Sequence, residues 1–220
     1  MKINNKKYFC SWSGGKDSCL SLHFAMKEGG IPSCLMTMMT ENGLRSRSHG
    51  IALSILQKQS ESLNIPLETH AASWEAYEEI FLKGLKKIKE KNVHVGVFGD
   101  IDIEAHRDWV EKVCNKNSVE PFLPLWKKPR RQIIKAFIDE GFKSIIIAVK
   151  DDKSLGKEFL GRELSKDLIK TLEERGIDPA GENGEYHTLV IGGPIFRYDI
   201  EVKLKNALLF NGYWFQDVSV

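Results

Sequence analysis

Cysteine is scarce in this sequence, with four in 220 residues at positions 10, 19, 34 and 114. No two of them form a C-x-x-C pair and none has compact metal-ligand spacing. A zinc or iron–sulfur site is therefore not expected, and the usage fits a reducing compartment. No run of eighteen apolar residues occurs, so no membrane-spanning helix is expected. The first residues, MKINNKKYFCSW, lack an apolar stretch followed by a small-residue cleavage site, and the chain reads as cytoplasmic. Charge of one sign does not dominate: 32 Lys and Arg face 30 Asp and Glu, a formal net charge of +2. That balance is unlike the concentrated basic surface of a dedicated nucleic-acid binder, so nucleic acid is not an expected partner. Internal repeats and low-complexity tracts are lacking too. With 42% hydrophobic and 28% charged residues, the composition is that of an ordinary globular chain. A chain this long buries roughly 70–75% of its unfolded surface and needs no disulfide staples.

What is present is an alternation of short apolar runs with helical patterns. Strands are expected at 7–11, 33–40, 66–71 and 93–98, and helices at 18–27, 50–63, 74–91 and 104–117. Such alternation is the sequence form of a parallel α/β sheet. Sheets of that kind bind ligands beyond the carboxyl ends of their strands. Two polar clusters fall there: Ser13-Gly14-Gly15-Lys16-Asp17-Ser18 after the first strand and Gly99-Asp100-Ile101-Asp102 after the fourth. The texture changes near residue 125. Helices at 130–140 and 163–175 and a strand at 144–149 lead into the polar segment 181–188. The stretch 195–220 then alternates like a β-hairpin turning at Asn211-Gly212. The expected division is residues 1–125 for an α/β domain that carries both polar clusters and 126–220 for a smaller α+β domain.

Residues 13–18 have the make-up of a phosphate loop. Glycines let the backbone turn tightly and approach a ligand closely, and the helix that follows presents free N–H groups and a positive dipole end. Lys16 adds a mobile cation, Ser13 and Ser18 add hydroxyls, and Asp17 offers a carboxylate for orienting the loop or holding magnesium. This is not the G-x-x-x-x-G-K-[ST] loop, because Gly14 lies only two residues before Lys16.

SGGKDS resembles the PP-loop of the ATP pyrophosphatases, which cleave ATP between its α and β phosphates. Further segments resemble one branch, the diphthine–ammonia ligase family: Val97-Phe98-Gly99-Asp100-Ile101, His106-Arg107-Asp108-Trp109-Val110, Pro124-Leu125-Trp126, and 181–188 followed by Gly193-Pro194-Ile195-Phe196. The resemblance covers nearly the whole chain. It implies a Rossmann-like PP-loop domain with a smaller C-terminal domain, ATP and Mg²⁺ as cofactors, and an ATP-dependent amide ligase. In such an enzyme a carboxylate is activated as its adenylate with release of pyrophosphate, and ammonia then displaces AMP. It further implies nucleotide contacts at Ser13, Gly14, Gly15, Lys16, Asp17, Ser18, Met38, Gly99 and Asp100, with metal held by Asp17 and Asp100. Catalytic roles would fall to Lys16, Asp17, Glu182, Glu185 and His187. A homodimer is carried as an expectation.

One departure bears on substrate. Diphthamide-forming members tend to read G-E-G-G-E-Y-E-[TS], whereas this chain reads Gly181-Glu182-Asn183-Gly184-Glu185-Tyr186-His187-Thr188. His187 replaces an obligate acceptor with a ring that donates, accepts or carries charge. The ENGEYH form resembles a bacterial branch linked to cobalamin salvage. Other readings of the loop are a sulfur-transfer enzyme acting on tRNA and a non-catalytic ATP-binding module. Arg45, Arg47, His49, His106 and Arg107 stand open between nucleotide contact and solvated loop or helix face. Lys127, Lys128, Arg130 and Arg131 stand open between an anion-receiving cluster and a charged helix start.

Overall fold

Residues 2–220 are described by a computed structural model. Five short strands, β1 (Lys7–Ser11), β2 (Ile31–Met39), β3 (Leu67–Ala71), β4 (Val95–Val97) and β5 (Glu120–Phe122), pair in parallel in the order β3-β2-β1-β4-β5. Helices α1 (Lys16–Lys27), α2 (Leu53–Leu63), α3 (Tyr77–Glu90) and α4 (Glu104–Lys116) carry the crossovers. Strand β1 explains the layering. Tyr8, Phe9 and Cys10 are all fully buried, but Tyr8 and Cys10 join the apolar cluster that holds α1 and α2 residues, while Phe9 joins the one with Phe81, Leu85 and Val113. Successive side chains point to opposite faces of a strand, so a continuous apolar run fills both layers. This is a Rossmann-like α/β sheet. Its strand order reverses beside β1, so the crevice between the carboxyl ends of β1 and β4 is the topological switch point.

The later elements are α5 (Arg130–Asp139), β6 (Lys143–Lys150), α6 (Lys166–Glu174), β7 (Tyr186–Gly192), β8 (Lys203–Phe210) and β9 (Tyr213–Ser219). Their strands form an antiparallel sheet in the order β7-β6-β9-β8. Asn211 and Gly212 turn the β8–β9 hairpin, both with positive φ (49° and 75°), as a two-residue type I′ turn requires. The cluster on the α1/α2 face continues into Ile145, Leu189 and Val190 of the second sheet, which therefore sits against that face.

Element bounds shift by a few residues, as at the starts of α2, α3 and α6, and the hairpin begins at Lys203 rather than residue 195; three further differences stand out. Helix α1 begins at Lys16, not Ser18, so the lysine stands in its first turn. Strand β5 was not anticipated: it is three residues long and contains Pro121, which is tolerated because β5 is an edge with a partner on one side only. The segment 181–188 divides, with a loop to Glu185 and strand β7 from Tyr186.

Candidate active site

The crevice at the switch point is built first from β1 and α1. Gly14 has φ +82°, and a side chain there would meet Ile51 Cδ1 at 2.8 Å. Gly15 is the N-cap of α1 and brings no side-chain cap, so the first N–H groups of the helix are left for other partners. Two hydroxyls organise the turn: Ser13 Oγ lies 3.0 Å from Ser18 Oγ, and Ser18 Oγ–H donates to Gly15 O at 3.1 Å. Strand β4 closes the crevice from the other side. A Cβ on Gly99 would sit 2.9 Å from the backbone of Asp17 and of Ser18, so only glycine lets that loop pack on the start of α1.

The loop is also held from outside the first sheet. Lys16 N–H donates to Thr188 Oγ1 (3.0 Å) and Val190 N–H donates to Gly14 O (3.0 Å), tying the turn to β7. Gln59 Nε2 donates to both Gly14 O and Val190 O, while Trp12 Nε1–H donates to Gln59 Oε1 at 2.9 Å. Every atom of the Gln59 amide is thus used, and the turn is fixed between α2 and β7.

Charge concentrates at Lys16. Its Nζ bonds Asp17 Oδ2 at 2.6 Å and lies 3.9 Å from Glu182 Oε1. Asp17 Oδ1 is buried with no hydrogen-bond partner. Burial pushes the Asp100 carboxyl up, and the Asp17 charge adds to the shift, although His106 at 3.6 Å opposes it. Burial and the Asp17 charge together raise Glu182 to about 7, against the lowering effect of Lys16. Two carboxyl groups therefore crowd one lysine, and a third, Asp100, feels the Asp17 charge without that lysine, an arrangement short of positive charge. A cavity of about 280 Å³ lies beside it, lined among others by Ser13, Asp17, Ser18, Met38, Gly99 and Asp100, whereas Gly14, Gly15, Lys16 and Glu182 are not among its lining residues. Arg47, His49 and His106 line it as well, so three of the side chains left open by the sequence face this cavity. Arg107 instead pairs with Glu111 and lies over Trp126, and Arg45 pairs with Asp217 of β9.

The segment 181–187 is only partly gathered. Glu182 reaches Lys16, and the His187 ring packs on His49 with centroids 4.7 Å apart. Burial and the nearby Lys16 lower His187 to about 4, and burial, His187 and Lys16 lower His49. Both rings are neutral near pH 7. Glu185 turns away: its carboxylate accepts from Asn183 N–H and Asn183 Nδ2. Asp102 does not face the cavity freely either, because Arg130 grips it at 2.7 and 2.8 Å. Asp100 is not tied up as a helix cap, since α4 is capped by Ile103 without a side-chain bond.

Arg130 and Thr188 are the residues that sequence reasoning undervalued. Besides Asp102, Arg130 Nη1 bonds Asp178 Oδ2 (2.6 Å) and Asn183 Oδ1 (3.0 Å). Asp178 in turn accepts from the N–H groups of Ala180 and Glu182. One guanidinium thus joins the loop after β4 to the loop that carries Glu182. Four adjacent cations around Pro129 gave no sign of which one would bridge; Thr188 lay within a recognised segment but carries no charge to single it out. All four cysteines are buried, and burial pushes their thiols up, Cys34 and Cys114 to about 12. A thiol so protonated is a poor nucleophile.

A strand–SGGKDS–helix turn at the switch point of a parallel sheet defines a PP-loop ATP pyrophosphatase-type protein. Residues 6–121 match the family described as Diphthamide synthase N-terminal domain, and residues 128–219 match Diphthamide synthase C-terminal domain. The chain belongs to the diphthamide synthase family. It is 27% identical to the diphthine–ammonia ligase of Mus musculus over 94% of this chain and 86% of that protein, and 23% identical to that of Homo sapiens over the same shares. Among solved structures it is similar to a predicted subunit of tRNA methyltransferase from Methanocaldococcus jannaschii, with 16% identity, a TM-score of 0.44, and 88% of this chain and 100% of that chain covered. Family membership places the chain among ligases. No helix among the described residues is long and apolar enough to cross a membrane.

Proposed function

We propose that the protein is an ATP-dependent amide ligase that activates a carboxylate as its adenylate and passes the acyl group to ammonia. A carboxylate oxygen attacks the α phosphorus and pyrophosphate leaves; ammonia nitrogen then attacks the acyl carbon and AMP leaves. The observation that carries this reading is the Lys16 cluster at the switch point, in a chain whose relatives are named as diphthine–ammonia ligases. In this reading Gly14, Gly15 and the first N–H groups of α1 cradle the β and γ phosphates, and Lys16 exchanges Asp17 for phosphate oxygen. Asp17 and Asp100 fit a magnesium ion. The orphaned Asp17 Oδ1 and the raised Asp100 carboxyl are hard oxygen donors crowded by like charge, and phosphate and water complete such a shell. The ion would supply charge neutralisation for the departing pyrophosphate. Glu182, near neutrality in its titration, can take a proton from the attacking amine, and the neutral His187 can donate a hydrogen bond to the carboxylate. The division of labour at residue 125 belongs to the same proposal, with nucleotide on the first part and acyl substrate on the second.

Product analysis tests it. With a competent carboxylate and ammonia, AMP and pyrophosphate should form together, and Lys16→Ala should lower the rate by about a hundredfold or more, the usual cost of losing one charge-stabilising donor. ADP as product would contradict the proposal.

A further inference from the structure

Exposed apolar side chains gather on one strand. Of the ten large hydrophobic residues that are exposed among the described residues, four lie on β8: Leu204 (49%), Leu208 (62%), Leu209 (51%) and Phe210 (66%). Every residue of β8 is exposed, and the strand is an edge that pairs with β9 alone. We propose that this edge is a homodimer interface, on which a second copy of this chain adds its own β8 antiparallel across a two-fold axis at Leu208. An uncovered strand edge leaves a row of N–H and C=O groups open to another chain, and monomers blunt such edges with charge or proline. Lys203 and Lys205 do so at the start of β8, but Ala207-Leu208-Leu209-Phe210 carries neither device.

The hairpin fixes the register. Because Asn211 and Gly212 form a two-residue turn, Phe210 and Tyr213 are a hydrogen-bonded pair, and bonded pairs alternate along the ladder. Phe210 and Leu208 thus turn their backbone groups to β9, whereas Ala207 and Leu209 turn theirs outward. Self-pairing can set Ala207 opposite Ala207, Ala207 opposite Leu209, or Leu209 opposite Leu209. The first asks for the backbone of Lys205, which lies in the irregular stretch of β8 and whose carbonyl already accepts from Gln216 Nε2 (2.6 Å). The third sets Ala207 opposite Asn211, a turn residue with φ 49°. In the second, each Ala207 bonds Leu209 of the other copy, and the two Leu208 residues meet at the axis. Apolar side chains then pair on both faces of the joined sheet, Leu208 with Leu208 on one and Leu209 with Ala207 on the other. Growth stops at two copies, since β7 at the opposite edge is bonded to the phosphate loop through Lys16 N–H and Val190 N–H. The four exposed side chains present roughly 400 Å² per copy, so with the strand backbone two copies cover on the order of 1,000 Å², the size a specific interface requires.

Light scattering on the full chain as it elutes at about 50 μM should give twice the mass of one chain. Leu208→Lys sets two like charges opposite each other at the axis and should give single chains at the same concentration. Its circular dichroism and melting temperature should match the parent's within the monomer's own range, because the side chain is exposed in one copy. Leu208→Cys should form an intermolecular disulfide under mild oxidation, since directly opposed residues of a non-bonded antiparallel pair hold their Cα atoms about 4.5 Å apart, within disulfide range. All four native cysteines are buried, and Ile31→Cys, at an exposed position of the first sheet, should not cross-link. A parent protein that runs as one chain, whatever other strand β8 then accepts, would overturn the proposal. So would a dimer that survives Leu208→Lys, or one in which Leu208→Cys cross-links no faster than Ile31→Cys.

Discussion

At Glu182, burial and the neighbouring Asp17 hold the carboxyl near 7 rather than at its ordinary 4.5. Between those values the folded protein binds more protons than the unfolded chain, so this group makes stability fall as pH rises. The effect is on the order of 3 kcal/mol across the window. His187 acts in the opposite sense. Held at about 4 instead of 6.5, it stays neutral in the fold while the unfolded ring protonates, so its contribution is lost as pH drops from 6.5 toward 4. The two slopes overlap and largely cancel. Denaturant titrations across pH 4.5–7 should therefore show stability climbing steeply with pH in Glu182→Gln and falling with pH in His187→Gln. The glycines make a steric claim at this same scale. Gly99→Ala forces a methyl to 2.9 Å from the backbone at the head of α1 and should destabilise by about 1–3 kcal/mol, read from the same titrations.

Among elements, the loop between α6 and β7 depends on Arg130. That side chain is about a quarter exposed, and it bonds Asp102 and Asp178 from two different loops. Arg130→Ala should cost roughly 2 kcal/mol and speed hydrogen exchange at the Ala180 and Glu182 amides, with exchange across β1 unchanged. How far the elements were legible follows from their length and pattern. Strand β1 and the β8–β9 turn coincide with their sequence signals, because an unbroken apolar run and an Asn-Gly pair each admit one reading. Strand β5, with Pro121 at its centre, carries no such signal; only its pairing with β4 makes it a strand. The start of α1 moved two residues because glycine caps without a side chain, leaving no cap residue to read.

For the whole molecule, the first sheet forms the phosphate turn and the second holds it in place. The SGGKDS turn was visible in the sequence, and so were its glycines, its lysine and the GDID loop opposite. What was hidden is long-range: Thr188 sits 172 residues from Lys16 and Gln59 lies 45 from Gly14, and nothing in either neighbourhood announces the bond. His49 lies in a loop without periodicity, which left its nearness to Gly15 unreadable. Thr188→Val keeps the shape of the side chain and removes the acceptor for Lys16 N–H. Calorimetric titration should show ATP binding weakened about tenfold, with thermal stability lowered only slightly.

The direct measurement of phosphate placement is a crystal structure with α,β-methylene ATP, which cannot be cleaved at the bond in question. The β and γ phosphates should lie on the backbone amides of residues 13–18 with Lys16 Nζ against them and the α phosphorus open toward His49. A triphosphate bound elsewhere, with Lys16 still bonded to Asp17, would contradict the account.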